Sequence, residues 1–231
     1  ISTAHSLAGL PDITNHPVIH TVRSSARRFL HSGQVNQKDL LSLGLCMTAV
    51  GLLLQWDSLS ALRTATYIMV SFAGFLRFSD AHSLFCDEIR FYPTHMELFL
   101  EKRKPNQFRH GEVICIARGS SFACPVHLTF QLLSKSNSHH SHSHLFPWPY
   151  SFTRHTVLQA LADAAQVPLS EFSQSFGLHS FRSGGATLVA QSEVPDHVFQ
   201  AHGAWQSPQS MHRYIARSLS QRLLPTQVMQ Y

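Results

Sequence analysis

Two uncharged stretches constrain what this chain can fold into. Between Asp39 and Asp57 run 17 residues, LLSLGLCMTAVGLLLQW, without one charge, and a second uncharged run extends from Thr64 to Leu76. The first run sits at the lower edge of the length that crosses a bilayer. It contains Ser42, Thr48 and two glycines, and the second run follows close behind. That combination fits two helices buried within a globular core, so no membrane partner is expected. With 231 residues and 44% hydrophobic content, the chain has ample material for such a core.

The hydrophobic period changes on either side of these runs. Upstream, HPVIHTVRSSARRFL places Val18, Val22 and Ala26 at helical spacing, with Arg23, Arg27 and Arg28 on or beside the other face. SGQVN then interrupts the pattern and suggests a domain boundary near residues 31–35, dividing the chain into 1–32 and 33–231. Asn36 followed by Asp39 resembles a capped start of the next helix. Downstream, EIRFY, MELFLEK and EVICIAR are short and rich in aromatic and β-branched residues, and RKPNQFRHG joins the last two. These features predict an antiparallel sheet of about three strands, with Lys104 at or near a hairpin turn. Helix is expected again from Cys124 to Leu133, and from Thr153 onward. The fold class is therefore α+β, mainly helical with a small antiparallel sheet.

Between those helical regions lies SKSNSHHSHSHLFPWPYS, with four histidines within 139–144. Histidines alternating with serine, without acidic or cysteine companions, predict a flexible surface loop rather than a metal site. The four cysteines, Cys46, Cys86, Cys115 and Cys124, show neither CxxC spacing nor the density of a disulfide scaffold, so free thiols in a reducing compartment are expected. Residue 1 is Ile and no basic-then-apolar leader follows it, which suggests a piece of something longer. Lys and Arg outnumber Asp and Glu 18 to 13, a mild excess that permits a polyanionic partner.

The motif that asks for chemistry is GLHSFRSGGATL, in which His179 precedes Arg182 by one helical turn and the pair Gly184–Gly185 follows at once. Upstream, GFLRFSD carries Arg77 at the end of a buried helix, with Asp80 three residues on. Downstream, HGAWQSPQSMHRYIARSL carries Trp205 and Tyr214. In order, Arg77, Lys104, His179, Arg182, Trp205 and Tyr214 resemble the catalytic pattern of the tyrosine recombinase (phage integrase) family, across nearly the whole chain. Trp205 stands where a second histidine is most common. It lies 9 residues before Tyr214, the usual interval, whereas His202 lies 12 before it. The ending is similar to that of Cre, and SLAGLPDITNHP, GFLRFSD and KPNQFRHG resemble recombinases of Crypton and DIRS-type mobile elements.

The resemblance implies that residues 1–32 are the tail of a helical core-binding domain, and that 33–231 form the catalytic domain. It implies a DNA strand-transferase that acts on double-stranded DNA through a covalent 3′-phosphotyrosyl intermediate, works as a tetramer on DNA and uses no cofactor or metal. Location would be nuclear in a eukaryote and cytoplasmic otherwise. The residue types suit that chemistry. Arg77 and Arg182 would clamp a phosphate, since a guanidinium donates in pairs and stays charged. Tyr214 must lose a proton as it attacks, and His179 is placed to accept it or to steady a phosphate oxygen. By resemblance, Lys104 protonates the leaving 5′ oxygen. Gly184 and Gly185 would let the Arg182 helix press close to the DNA backbone.

Three rival readings stand beside this one. RHGE at 109–112 has the Arg-His-Gly of histidine phosphatases, but Val113 and Ile114 follow it in place of the expected continuation. A type IB topoisomerase uses the same residue set. A catalytically silent DNA-binding protein of domesticated origin would keep the fold.

Overall fold

The computed structural model describes residues 2–9, 16–30, 38–100, 111–192, 194–205, 207 and 211. The chain separates into two compact units, Ile1–Gln37 and Lys38–Tyr231. Within the first, α1 spans Ser2–Leu7 and α2 spans Pro17–Leu30. Pro17 opens α2, where its missing N–H would have no partner in any case. Val18 and Val22 of the apolar stripe are both 61% exposed. The segment 31–35, Asn36 and the connection carrying Lys104 lie outside the described residues.

In the second unit the uncharged runs form α3, Leu43–Leu53, and α4, Leu59–Ala73. The start of α3 departs from expectation. Asp39 lies in an extended lead-in whose N–H donates to the Ser175 carbonyl, and Ser42 is the cap, its Oγ accepting from the Leu45 N–H. Ser42 wins because it directly precedes the periodic residues and can reach that orphan donor. The 17-residue run therefore makes an 11-residue helix, and Trp56 beyond its end is exposed. No helix among the described residues is long and apolar enough to cross a membrane.

Helix α4 is the axis of the fold, buried continuously from Thr64 to Phe72. Its threonines satisfy their hydroxyls within the helix, Thr66 Oγ1 donating to the Leu62 carbonyl at 2.7 Å and Thr64 Oγ1 to that of Ser60 at 2.9 Å. That is how a polar residue sits in a core at little expense. Packed around α4 are α3, α5 (Phe78–His82), α6 (Pro125–Ser136), α7 (Tyr150–Ala165) and α9 (Ser180–Ala190), while α8 (Leu169–Ser175) lies against α7. The last described helix, α10, spans Asp196–His202 and touches α9.

The sheet is three-stranded and antiparallel in the order β1 (Ile89–Phe91), β2 (His95–Leu100), β3 (Glu112–Ala117). Strict alternation buries Met96, Leu98, Leu100, Ile114 and Ile116 on one face. The other face presents His95, Glu97, Phe99, Val113 and Cys115. All four cysteines are free, and three are buried.

The histidine-rich loop is a surface loop, but not a loose one. It pairs with the segment after α5, the Cys86 N–H donating to the Ser143 carbonyl and the Leu145 N–H to that of Leu84, both at 2.9 Å. Rings reinforce the pairing. His142 stacks on Phe85 at 4.2 Å, Phe85 on His144 at 4.4 Å, and His144 on His82 at 5.1 Å. His142 also meets the Asp87 carboxylate at 3.1 Å. The expected flexibility fails because imidazoles alternating with serine find aromatic partners supplied by residues 82–87, more than 50 positions away.

Candidate active site

The candidate site forms where α4 turns into α5 and meets the start of α9. The turn is made by Gly74, Phe75 and Leu76, and it is Phe75, not the glycine, that takes the left-handed conformation, at φ 48°. Arg77 then caps α5: its N–H donates to Asp80 Oδ2 at 3.1 Å while its guanidinium lies 3.8 Å from the same oxygen. Asp80 is buried and the Arg77 side chain is a quarter exposed. The carboxylate thus meets both the main chain and the guanidinium of the arginine.

Helix α9 begins beside this corner. His179 precedes it and keeps an exposed edge. Partial burial, then the cations of Arg182 and Arg77, hold its imidazole below the ordinary histidine range, with Asp80 opposing. The three cationic-capable residues therefore lie within electrostatic reach of one another. An imidazole so placed is neutral at pH 7 and able to accept a proton.

Arg182 differs from Arg77 in having no exposure at all. It donates to the carbonyls of Phe75 and Gly203, the latter at 2.6 Å, and its guanidinium lies over the Trp205 ring at 4.5 Å. Stacking of this kind contributes about 0.5–2 kcal/mol, more when dry. Both carbonyls come from strained corners. Phe75 is left-handed itself, and Gly203 precedes Ala204, which is left-handed at φ 47°. Each such conformation costs a non-glycine residue about 1–2 kcal/mol. Here the corners aim two carbonyl oxygens at one buried cation.

Trp205 is 5% exposed and belongs to a small cluster with Phe75, Ala186, Phe199 and Met211. Its six-membered ring fills the space where a Cβ on Gly203 would stand, which is why glycine occupies that position. His202 faces elsewhere: its Nε2 meets the Ala73 carbonyl at 2.8 Å and its ring packs edge-on to Phe75 at 4.7 Å. It pins α10 to the end of α4. Of the two candidates near the second-histidine position, Trp205 is the one whose ring lies under the Arg182 guanidinium.

Gly184 and Gly185 require a correction. A Cβ on Gly184 would overlap the Leu41 carbonyl, and one on Gly185 would overlap the Phe72 carbonyl and the Phe75 ring. Both residues are buried. They admit the protein's own main chain, not a ligand's. HSFRSGG looked like a surface for close approach because sequence cannot show which partner approaches.

Four of the six predicted site residues, Arg77, His179, Arg182 and Trp205, thus converge on the α4–α5 corner and the two ends of the α9–α10 segment. Lys104 and Tyr214 lie outside the described residues. Sequence reasoning missed Phe75 and Gly203 as the acceptors for Arg182.

No protein-family model matches the chain. In sequence it is 26% identical over 224 residues to an integrase/recombinase XerD homolog from Selenomonas ruminantium, an alignment covering 93% of this chain and 65% of that protein. The chain spans less than two thirds of the length of that relative. In structure it is similar to XerH site-specific recombinase bound to a palindromic difH substrate, with a TM-score of 0.62 at 10% identity, covering 86% of this chain and 56% of the other. It is also similar to XerA recombinase, with a TM-score of 0.60 at 12% identity, covering 100% and 80%. A lambda integrase dimer bound to a core site gives 0.53 at 12% identity, covering 93% and 62%. With its helical body and three-stranded antiparallel sheet, the chain has the fold of a tyrosine recombinase catalytic domain.

Proposed function

We propose that this chain is the catalytic part of a site-specific recombinase that cleaves and rejoins double-stranded DNA. The observation that carries the proposal is the meeting of Arg77, His179 and Arg182, with Trp205 stacked beneath Arg182, in the family's order. In the reaction, Tyr214 Oη bonds to phosphorus as the P–O5′ bond breaks. Its proton passes to neutral His179, and Lys104 gives a proton to the departing 5′ oxygen. Arg77 donates to the non-bridging oxygens directly. Arg182, held dry beneath the site, adds positive potential where the phosphorane charge develops. The 3′-phosphotyrosyl bond keeps the energy of the broken diester, so a new 5′ hydroxyl can displace Tyr214 without ATP.

On the same reading, residues 1–32 are the end of a core-binding domain, 33–231 are the catalytic domain, and four copies act together on two duplexes. The compartment is wherever that DNA resides, nuclear or cytoplasmic, and the mobile-element origin rests on the resemblance of SLAGLPDITNHP, GFLRFSD and KPNQFRHG alone. A second reading is favoured by one observation: Arg182 spends donors on Phe75 and Gly203, as a structural arginine in a silent DNA-binding protein would.

A duplex nicked near the scissile phosphate traps the covalent product and separates the two. The active reading expects a protein–DNA adduct stable to denaturation, lost in Tyr214→Phe while DNA binding stays within about twofold, since only the nucleophilic oxygen is removed. Salt-sensitive binding with no adduct from the unmodified chain would establish the binder. An adduct that survives Tyr214→Phe would move the nucleophile elsewhere.

A further inference from the structure

The outward face of the sheet carries a group of side chains that the proposed reaction does not use. His95 and Glu97 alternate onto that face of β2, and Cys115 of β3 is the direct cross-strand partner of Glu97. One ligand atom from each of the three lies within 4.8 Å of the others. The His95 Nε2 to Glu97 Oε1 separation is already 3.8 Å. Tetrahedral zinc with bonds of about 2.0–2.3 Å needs neighbouring donors about 3.3–3.7 Å apart, so rotation of the exposed Cys115 side chain and small shifts of the half-buried His95 and Glu97 close the set.

What surrounds the three residues makes the group more than an accident of proximity. Thr94 Oγ1 lies 3.0 Å from His95 Nδ1, and in the tautomer protonated at Nδ1 it accepts from that nitrogen and leaves the lone pair on Nε2. Tyr92 donates its hydroxyl to Glu97 Oε2 at 3.2 Å, leaving Oε1 for another partner. The Tyr92 ring stacks on His95 at 4.5 Å and 7°, holding the imidazole plane. The second polar atoms of His95 and Glu97 are thus engaged, Nε2 and Oε1 stand 3.8 Å apart, and Cys115 Sγ lies within 4.8 Å of a ligand atom of each. Outer partners that orient the inner ligands in this way are characteristic of metal centres.

We propose that His95, Glu97 and Cys115 form a binding site for a divalent transition metal of the zinc class. One nitrogen, one carboxylate and one thiolate suit that class and do not suit magnesium or calcium, which take oxygen donors. A fourth position is left for water. The ion clips β2 to β3 at the end of the hairpin remote from the 101–110 connection, and the site stands independently of the recombinase reading.

The test uses cobalt as the spectroscopic substitute, added to the full chain after chelator treatment and with a thiol-free reductant. The expected result is one equivalent of Co2+ bound with the visible bands of a four-coordinate ion and a near-ultraviolet thiolate charge-transfer band, both displaced by Zn2+. Attribution is simple because Cys115 is the exposed thiol, whereas burial pushes Cys46 up to about 12 and Cys86 upward as well, and Cys124 is buried. Cys115→Ser should abolish the charge-transfer band. His95→Asn and Glu97→Gln should weaken affinity tenfold or more, and Thr94→Val, which touches no metal, should weaken it about tenfold by releasing the tautomer. Far-ultraviolet circular dichroism checks that each variant is folded. Absence of stoichiometric binding would overturn the proposal. So would a charge-transfer band that survives Cys115→Ser, or cobalt held without thiolate by the loop at His139–His144.

Discussion

Arg77 and Arg182 both bear on His179, yet the regions that hold them are built on opposite plans. Arg77 is a helix cap whose main chain is fixed by Asp80 and whose side chain stays a quarter exposed. Arg182 is sealed in by two carbonyls and an indole, on a helix pressed against α4 through glycines. The difference teaches that two arginines with one label can carry different physics. One keeps part of its side chain at the surface beside a buried carboxylate. The other holds three chain segments together, and contributes its charge from beneath.

The sharpest way to break that comparison is to remove Arg182. Arg182→Ala should lower unfolding free energy by about 3–5 kcal/mol, because it removes two hydrogen bonds to buried carbonyls and leaves a large cavity beside Trp205. Urea unfolding of the two proteins side by side measures it, and a loss below about 1 kcal/mol would return Arg182 to the same class as Arg77. Next in size is Arg77→Lys. Cleavage of a nicked duplex should fall about 100-fold, since a point charge cannot reproduce paired donation, while unfolding free energy changes by less than about 1 kcal/mol. Near-normal cleavage would leave Arg77 as the companion of Asp80 and nothing more.

A smaller effect follows from His179. Its pKa is lowered in the folded chain, so the unfolded chain binds the extra proton first as pH falls. The neutral imidazole's contribution to stability is therefore intact above the ordinary histidine value near 6.5, and is lost as pH drops through the lowered folded value. Urea midpoints measured between pH 7 and pH 5 should decline more steeply for the unmodified chain than for His179→Gln, which cancels the slopes of the other histidines. Parallel slopes would remove His179 from the field of the two arginines. Smallest of all is Ala204→Gly, which relieves a left-handed alanine and should raise stability by about 0.5–1 kcal/mol in the same assay. No gain would mean that the corner is held by more than its carbonyl.

Much of the fold could be read from spacing because its periods are clean. The uncharged run from Thr64 supplies the buried part of the axial helix as far as Ala73, and the alternation over Met96–Leu100 and in EVICIAR appears in β2 and β3. What escaped were contacts between distant segments. Ser42 displaced Asn36 and Asp39 as the start of α3 because capping depends on one hydroxyl reaching one N–H. The histidine loop was tied down by Phe85 and His82, far off in sequence. In the site, residue types and order were legible, but the burial of Arg182 was not, since His-x-x-Arg looks the same whether the arginine points to solvent or to Phe75. Lys104 and Tyr214 fall outside the described residues and stand on order and spacing alone.

The glycine pair on α9 bears on how freely this protein could be re-engineered. Where Gly184 faces the Leu41 carbonyl and Gly185 faces that of Phe72, the gap between segments is set by main chain against main chain. No interchangeable side chain acts as a spacer there. An engineer could exchange the leucines and phenylalanines farther along α4, α6 and α7 for other apolar residues of matched volume and still find Arg182 at the same height above the Phe75 corner. The tolerance ends at those two glycines, which act as the datum from which the rest of the site is measured.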